Sequence, residues 1–209
     1  MKIYFIILVG LVSSCKAQKV LTTTKQTENL QYYSDTCNRY VDYTREYLND
    51  SVYIERHNDV TDTLMVKGSN LFRLYRGATY KLIDADEDFS SSKKEYRYYY
   101  FGLSPKDTLQ KAGESNVQYS LRLMQSIIIF VPVKAVNIGG RDMFMYYTLG
   151  DCYPASSEKC IKAKIINGQY AVVYFEKGIG CSGFAAGDSK CKFFLTDKSY
   201  KVLLQRKNK

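Results

Sequence analysis

The pattern of hydrophobic and polar positions changes after the first quarter of the chain. From Ser51 onward, short runs rich in Val, Ile, Tyr, Phe and Thr alternate with turn residues about every eight to twelve positions. That spacing predicts an antiparallel all-β domain, either a sandwich or a barrel. The segment Asn29–Asn49 instead carries aromatic and apolar residues at helix-like spacing: Tyr40, Tyr43, Thr44, Tyr47 and Leu48. We therefore expect a short N-terminal helix before the strands.

Two glycine-containing dipeptides predict tight hairpins. Asn167-Gly168 separates the strand-like runs 160–166 and 169–176, and Gly139-Gly140 separates 127–138 from 141–149. Both pairs tolerate the positive φ angles of a two-residue turn. Pro132 lies inside the first strand of the second hairpin, so that strand should be an edge or carry a bulge there. Residues 200–205 are typical of a last strand, and residues 30–209 are expected to form one domain.

The leader resembles that of a bacterial lipoprotein. Met1 and Lys2 precede a ten-residue apolar run, Ile3–Val12, which is too short to span a bilayer. Val12-Ser13-Ser14-Cys15 follows and is similar to a lipobox, in which the chain is cut before the cysteine and its thiol is acylated. The resemblance implies a signal peptide over 1–14, an acylated Cys15 and a polar tether over 15–29. The alternative is ordinary signal cleavage near Cys15, which would give a soluble secreted protein.

Export places the remaining cysteines in an oxidising compartment, where disulfides form. The spacing favours two local pairs, Cys152–Cys160 and Cys181–Cys191, with two crossed pairings as alternatives. Cys37 is then left as a buried free thiol.

One acidic segment bears comparison with a calcium loop. Asp84, Asp86, Asp88 and Glu95 fall at alternating positions of a twelve-residue window and at its end, as in an EF-hand. Phe89 occupies the position where the sharp turn requires Gly, and the flanking residues are typical of strands rather than helices. We interpret the segment as a solvated acidic turn and only a weak metal candidate.

Basic residues are concentrated toward the C-terminus. Residues 15–92 hold 10 basic and 12 acidic groups, whereas residues 93–209 hold 19 basic and 9 acidic groups. A candidate surface for an anionic partner consists of Lys190, Lys192, Lys198, Lys201, Arg206 and Lys207. The alternative is that these lysines and arginines only solvate the outer face of strands.

Function is constrained mainly by what the chain lacks. His57 is the single histidine, and no G-x-S-x-G or H-E-x-x-H pattern occurs, so we expect no enzyme activity and no cofactor. The favoured interpretation is a lipid-anchored protein of the cell envelope that binds an envelope protein or an anionic glycolipid or glycan, nucleic acid being an improbable partner. The alternative is a soluble secreted β-barrel that carries a small apolar ligand.

Overall fold

Twelve antiparallel strands account for most of the computed structural model, which describes residues 26–58, 60–75, 77–90, 97–100, 110–119, 127–150, 152, 158–187 and 189–207. The strands are β1 (Gln26–Ser34), β2 (Arg39–Tyr47), β3 (Val52–His57), β4 (Val60–Lys67), β5 (Asn70–Tyr75), β6 (Ala78–Asp84), β7 (Arg97–Tyr100), β8 (Ile127–Ile138), β9 (Arg141–Gly150), β10 (Ala171–Glu176), β11 (Gly180–Ala186) and β12 (Lys192–Leu195). The helices are α1 (Ala85–Ser90), α2 (Glu158–Ile166) and α3 (Asp197–Lys207).

The sheet is barrel-like and nearly closed. Its strand order is β6-β5-β4-β3-β2-β1-β12-β11-β10-β9-β8-β7, so two six-strand meanders meet where β1 pairs with β12. The outer strands β6 and β7 come close together without forming a ladder. Arg97 of β7 bridges this seam through ion pairs with Glu87 and Asp88 of α1. The predicted all-β class is therefore confirmed, with a barrel-like sheet.

The predicted N-terminal helix is wrong. The segment forms the β1–β2 hairpin, which pairs Gln26 with Tyr47 at one end and Ser34 with Arg39 at the other. Alternate side chains of β1, from Leu30 to Ser34, are buried, which is the period of a strand. The aromatic spacing that imitates a helix arises because some tyrosines of β2 face the core and others face outward.

The hairpin predicted at Asn167-Gly168 is also wrong, because residues 158–166 form α2. Gly168 adopts a φ of 65° and its amide donates to the carbonyl of Ile165, which ends the helix. Asn-Gly suits a helix C-terminus as well as a turn, since both need positive φ. Ile161 and Ile165 lie four residues apart on the helical face that packs on β8 and β9.

The second hairpin is confirmed. Gly139 and Gly140 take φ angles of 59° and 78° between β8 and β9. The ladder between these strands shifts register between Pro132 and Lys134, which is the bulge that the proline predicts.

Helix α3 replaces the strand predicted over 200–205 and, together with α1, covers one end of the barrel. Thr196 caps α3, since its side-chain oxygen accepts from the amide of Ser199 at 3.4 Å. Leu203 is buried in the main core cluster with residues of β1 to β6. Arg206 bonds to Gln26 and to the carbonyl of Asn49, which fixes the end of α3 against the start of β1.

The disulfides are only partly those predicted. Cys152–Cys160 is confirmed, with Cα atoms 5.9 Å apart. The second pair is Cys37–Cys191, so the predicted Cys181–Cys191 bond and the free Cys37 are wrong. Lys192 pairs with Ala185, so Cys191 lies beside Ala186 and is about 16 Å along the strand from Cys181. Cys181 is the free thiol among the described cysteines.

Candidate functional site

An aromatic row crosses the outer face of the barrel where the two meanders meet. Tyr33 of β1 is in register with both Tyr40 of β2 and Phe194 of β12. The rings of Tyr33 and Tyr40 make a tilted contact with centroids 4.5 Å apart, and the Phe194 ring makes another with Tyr174, with centroids 4.9 Å apart. The row ends in solvent at Tyr40, which is 58% exposed although it is large and aromatic.

Gly183 leaves the space that the Phe194 ring of this row occupies. A Cβ added at Gly183 would lie 2.5 Å from the Phe194 ring, which rests directly on the glycine backbone. The absence of a side chain at Gly183 of β11 thus allows close ring packing on the strand.

The first of two depressions beside this row is called here the aromatic groove. It has a volume of about 520 Å³ and has Tyr33 and Phe194 on its lining. The remaining residues come from the turn after β1, the β8–β9 turn and the junction of β12 with α3: Asp35, Thr36, Ile138, Gly139, Arg141, Lys192, Leu195, Thr196 and Asp197. Three separate parts of the chain therefore build one groove of ligand size.

The second depression is called here the Tyr40 groove, because Tyr40 lines it whereas Tyr33 lines the aromatic groove. Its volume is about 510 Å³, and it shares Thr196 with the aromatic groove. Its lining is mainly polar: Asn29, Leu30, Gln31, Tyr40, Asp42, Tyr43, Thr44, Thr196, Lys198 and Ser199. The side-chain amide nitrogen Nε2 of Gln31 donates to Oδ1 of Asp42 on the neighbouring strand at 3.1 Å, which orders this lining.

Sequence reasoning missed both grooves because it assigned their central strands to a helix. In a strand, Leu30 and Tyr32 face the core, so Gln31 and Tyr33 must face outward. The Cys37–Cys191 bond then ties the β1–β2 turn to the start of β12 beside the aromatic groove. The alternation of polar and apolar residues over 29–34 was the one local signal for this arrangement.

Arg141 is the most constrained cation of the aromatic groove. Its guanidinium lies 4.7 Å from the centroid of the Tyr200 ring, and the Tyr200 hydroxyl donates to Glu176 at 2.7 Å. Burial and the neighbouring carboxylate raise the pKa of Tyr200 to about 12, so that hydroxyl keeps its proton. The Nη1 atom of Arg141 is enclosed by the protein and makes no hydrogen bond to any of the described residues.

The six basic residues of the predicted anionic-partner surface do not act as one patch. Lys192 lines the aromatic groove and Lys198 the Tyr40 groove, while Lys190 and Lys201 are simply exposed. Arg206 stacks 3.5 Å from the Tyr47 ring centroid, and Lys207 donates to the carbonyl of Lys177 at 2.9 Å. Two of the six cations thus fix α3 to the barrel.

The acidic residues considered as metal ligands each interact with a different partner in the protein. Asp84 accepts from Lys81, Asp86 forms an ion pair with Lys177, and Asp88 is buried in the barrel end. Asp88 accepts from the Tyr146 hydroxyl at 2.8 Å and pairs with Arg97.

Glu95 lies outside the described residues, so its position relative to these aspartates is not part of the structure. Within the described ranges, no three Asp, Glu, His or Cys side chains converge in a way that would hold a metal ion.

A polar network fills the barrel interior around Arg45. This fully buried guanidinium contacts Glu55 at 2.5 Å and the carbonyls of Ile179 and Cys181 at 3.1 and 3.3 Å. Burial raises the pKa of the Cys181 thiol to about 12, so it stays protonated at neutral pH. A protonated thiol is not an activated nucleophile even where its residue is only half-buried, and we interpret this network as structural.

No known protein family, curated protein or solved structure matches this chain significantly. None of the described helices has the length and apolar character needed to cross a bilayer. The class that the structure defines is a nearly closed, twelve-stranded antiparallel barrel with a two-part groove on its outer face.

Proposed function

We propose that this chain is a lipid-anchored protein of the cell envelope that binds a saccharide in the aromatic groove and the Tyr40 groove. The observation that carries the proposal is the contacting pair of Tyr33 and Tyr40, whose rings line two neighbouring depressions of about 520 and 510 Å³ and leave Tyr40 58% exposed. An exposed aromatic pair between polar grooves is typical of a recognition surface.

The lining of the grooves suits a sugar better than an apolar ligand. A pyranose ring presents C–H groups on its faces and hydroxyl groups at its edge, so it needs both an aromatic platform and hydrogen-bonding side chains. Tyr33, Phe194 and Tyr40 supply the platform. The polar groups come from Asn29, Gln31, Asp35, Thr36, Asp42, Thr44, Lys192, Thr196, Asp197 and Lys198.

The barrel interior is less suited to the carrier function that the sequence left as an alternative. Its largest fully buried side chains include Arg45, Tyr32, Tyr146 and Phe175, which fill the space between the strands. Any enclosed ligand would have to displace the charge network of Arg45.

The compartment is supported by two disulfides, which fit an oxidising environment outside the cytoplasm. Cys15 lies outside the described residues, and its acylation is part of the proposal.

The saccharide is tested by binding of the full-length protein in detergent to a glycan array, with titration of the oligosaccharides that bind. We expect Tyr40→Ala to weaken binding by about three- to tenfold, since an aromatic contact contributes roughly 0.5–1.5 kcal/mol. Tyr40→Phe keeps the ring and should bind almost normally. Ile166→Ala, an exposed apolar residue on α2, is the matched control. Failure of the wild-type protein to bind any saccharide would disprove the proposal.

The anchor is tested separately by fractionating cells. Cys15→Ala should move the protein from the membrane fraction to the soluble fraction, because acyl chains contribute about 0.8 kcal/mol per buried CH₂. An unchanged membrane fraction would contradict lipid attachment and leave the groove proposal intact.

A further inference from the structure

We infer that the saccharide recognised in the aromatic groove is a uronic-acid type, with its carboxylate bound by Arg141. The inference rests on the proposed function and names the chemical class of its ligand. It depends on a guanidinium that lines the groove without a carboxylate partner among the described residues, on the way in which Arg141 is held, and on the distribution of charge around the groove.

Arg141 lines a groove of about 520 Å³ and forms no ion pair with a carboxylate of the described residues. Its Nη1 atom is enclosed by the protein, so a ligand would meet the other donors of the guanidinium. A carboxylate oxygen is the strongest acceptor for a guanidinium.

Arg141 is also fixed in advance of binding. It begins β9 directly after the Gly139-Gly140 turn, and its guanidinium stacks on the Tyr200 ring. Glu176 holds Tyr200 in turn and accepts a second hydrogen bond from Ser182 at 3.1 Å. A guanidinium held by stacking loses little conformational entropy when it binds a carboxylate.

The other charges of the groove restrict the ligand to one carboxylate at a time. Lys192 is an exposed cation, whereas Asp35 and Asp197 are exposed carboxylates on the same lining. Aspartate oxygens accept hydrogen bonds from sugar hydroxyls and repel additional anionic groups. The groove is therefore suited to a sugar with one carboxylate per ring, and unsuited to a densely sulfated polymer.

Phe194 and Tyr33 give such a sugar its second contact. Both rings line the same groove as Arg141, and the Phe194 ring packs directly on Gly183. A uronate has its carboxylate at the edge of a pyranose whose face can lie on an aromatic ring. A ligand that combines both features fits this groove better than an isolated anion or a neutral sugar.

The test compares matched ligands on the full-length protein in detergent by titration calorimetry. The probes are oligosaccharides of galacturonate, glucuronate and mannuronate, each beside its methyl ester, which keeps the sugar and removes the charge. We expect at least one acid to bind about tenfold or more tightly than its ester, as for a charge-assisted hydrogen bond. Arg141→Gln should abolish this difference, and Lys201→Gln, an exposed cation outside both grooves, should retain it.

Thermal unfolding of each variant establishes that it folds, and Arg141→Lys is a second variant that keeps the charge without the planar donor group. It should lose part of the preference for the acid. Equal binding of acids and esters would overturn the uronate inference and leave saccharide binding standing. Tighter binding of heparin, a densely sulfated polymer, than of any unsulfated uronate would also overturn it. Binding of no saccharide at all would overturn the proposed function and this inference together.

Discussion

Replacing Arg45 with methionine should destabilise the barrel more than any exposed charge change on the same two strands. Arg45 is fully buried and contacts Glu55 on the neighbouring strand β3. It also reaches across the interior to two carbonyls at the start of β11, which is separated from β2 by β1 and β12. The guanidinium therefore joins the two meanders from the inside.

The magnitude follows from what the substitution leaves behind. Arg45→Met leaves the Glu55 carboxylate without its cation and the carbonyls of Ile179 and Cys181 without these donors. Breaking a buried ion pair in this way costs about 3–5 kcal/mol. Folded domains are stable by only about 5–15 kcal/mol, so this one change should remove a large part of the free energy of unfolding.

Glu55→Gln is expected to cost less, about 1–3 kcal/mol, because Arg45 keeps its carbonyl partners and its contact with the Tyr53 ring at 4.6 Å. Neighbouring Tyr53 and Glu55 raise the pKa of Arg45 well above its ordinary value, although burial alone would lower it. Arg45 stays charged in this variant as well, because a guanidinium keeps its proton in proteins even without a carboxylate partner. Combining Arg45→Met with Glu55→Leu should recover part of the loss, since no unpaired carboxylate remains.

The same strands supply a matched control. Arg56 of β3 pairs with Glu46 of β2 at 2.9 Å on the outer face, diagonally across the same two strands that Arg45 and Glu55 join from the inside. Arg56→Met should cost about 0–1 kcal/mol, as for other exposed ion pairs. Urea unfolding without reductant, followed by circular dichroism, measures all four variants. A cost for Arg45→Met no larger than that for Arg56→Met would refute the reasoning.

Three further predictions concern the cysteines and the barrel seam. Replacing Cys37 and Cys191 with alanine should cost about 5 kcal/mol in urea unfolding by the loop-entropy model, because the bond spans 154 residues; a loss below 1 kcal/mol would contradict it. Cys181, with its pKa raised to about 12, should resist iodoacetamide at pH 8 in the native protein and react in urea; equal rates would contradict its burial. Asp88→Asn removes a charged acceptor of the Tyr146 hydroxyl and should lower the free energy of unfolding by about 1.5–3 kcal/mol. An unchanged midpoint of urea unfolding would contradict this prediction.

The fold class was predictable because its signals are local. Alternating residues and evenly spaced turns mark strands wherever they pair, and Gly139-Gly140 fixes a two-residue hairpin without reference to the rest of the chain. Cys152 and Cys160 are eight residues apart, so their pairing closes a short loop that needs no knowledge of the fold.

Local signals failed where the same residue pattern is compatible with two different local structures. Asn167-Gly168 supplies positive φ to a turn or to a helix end, and packing of Ile161 and Ile165 against the barrel selected the helix. The segment Asn29–Asn49 has both helix-like and strand-like spacings, and pairing of its first strand with β12 selected the strands.

The sequence alone determined that the chain forms antiparallel strands, because apolar and polar residues alternate within its short runs and turn residues separate the runs. The tertiary structure decided which strands are neighbours, and this choice depends on long-range pairing that no local window contains. Closing β1 onto β12 brought Cys37 to Cys191 and set Tyr33 beside Phe194. The groove that includes Arg141 exists only because residues more than a hundred positions apart meet there.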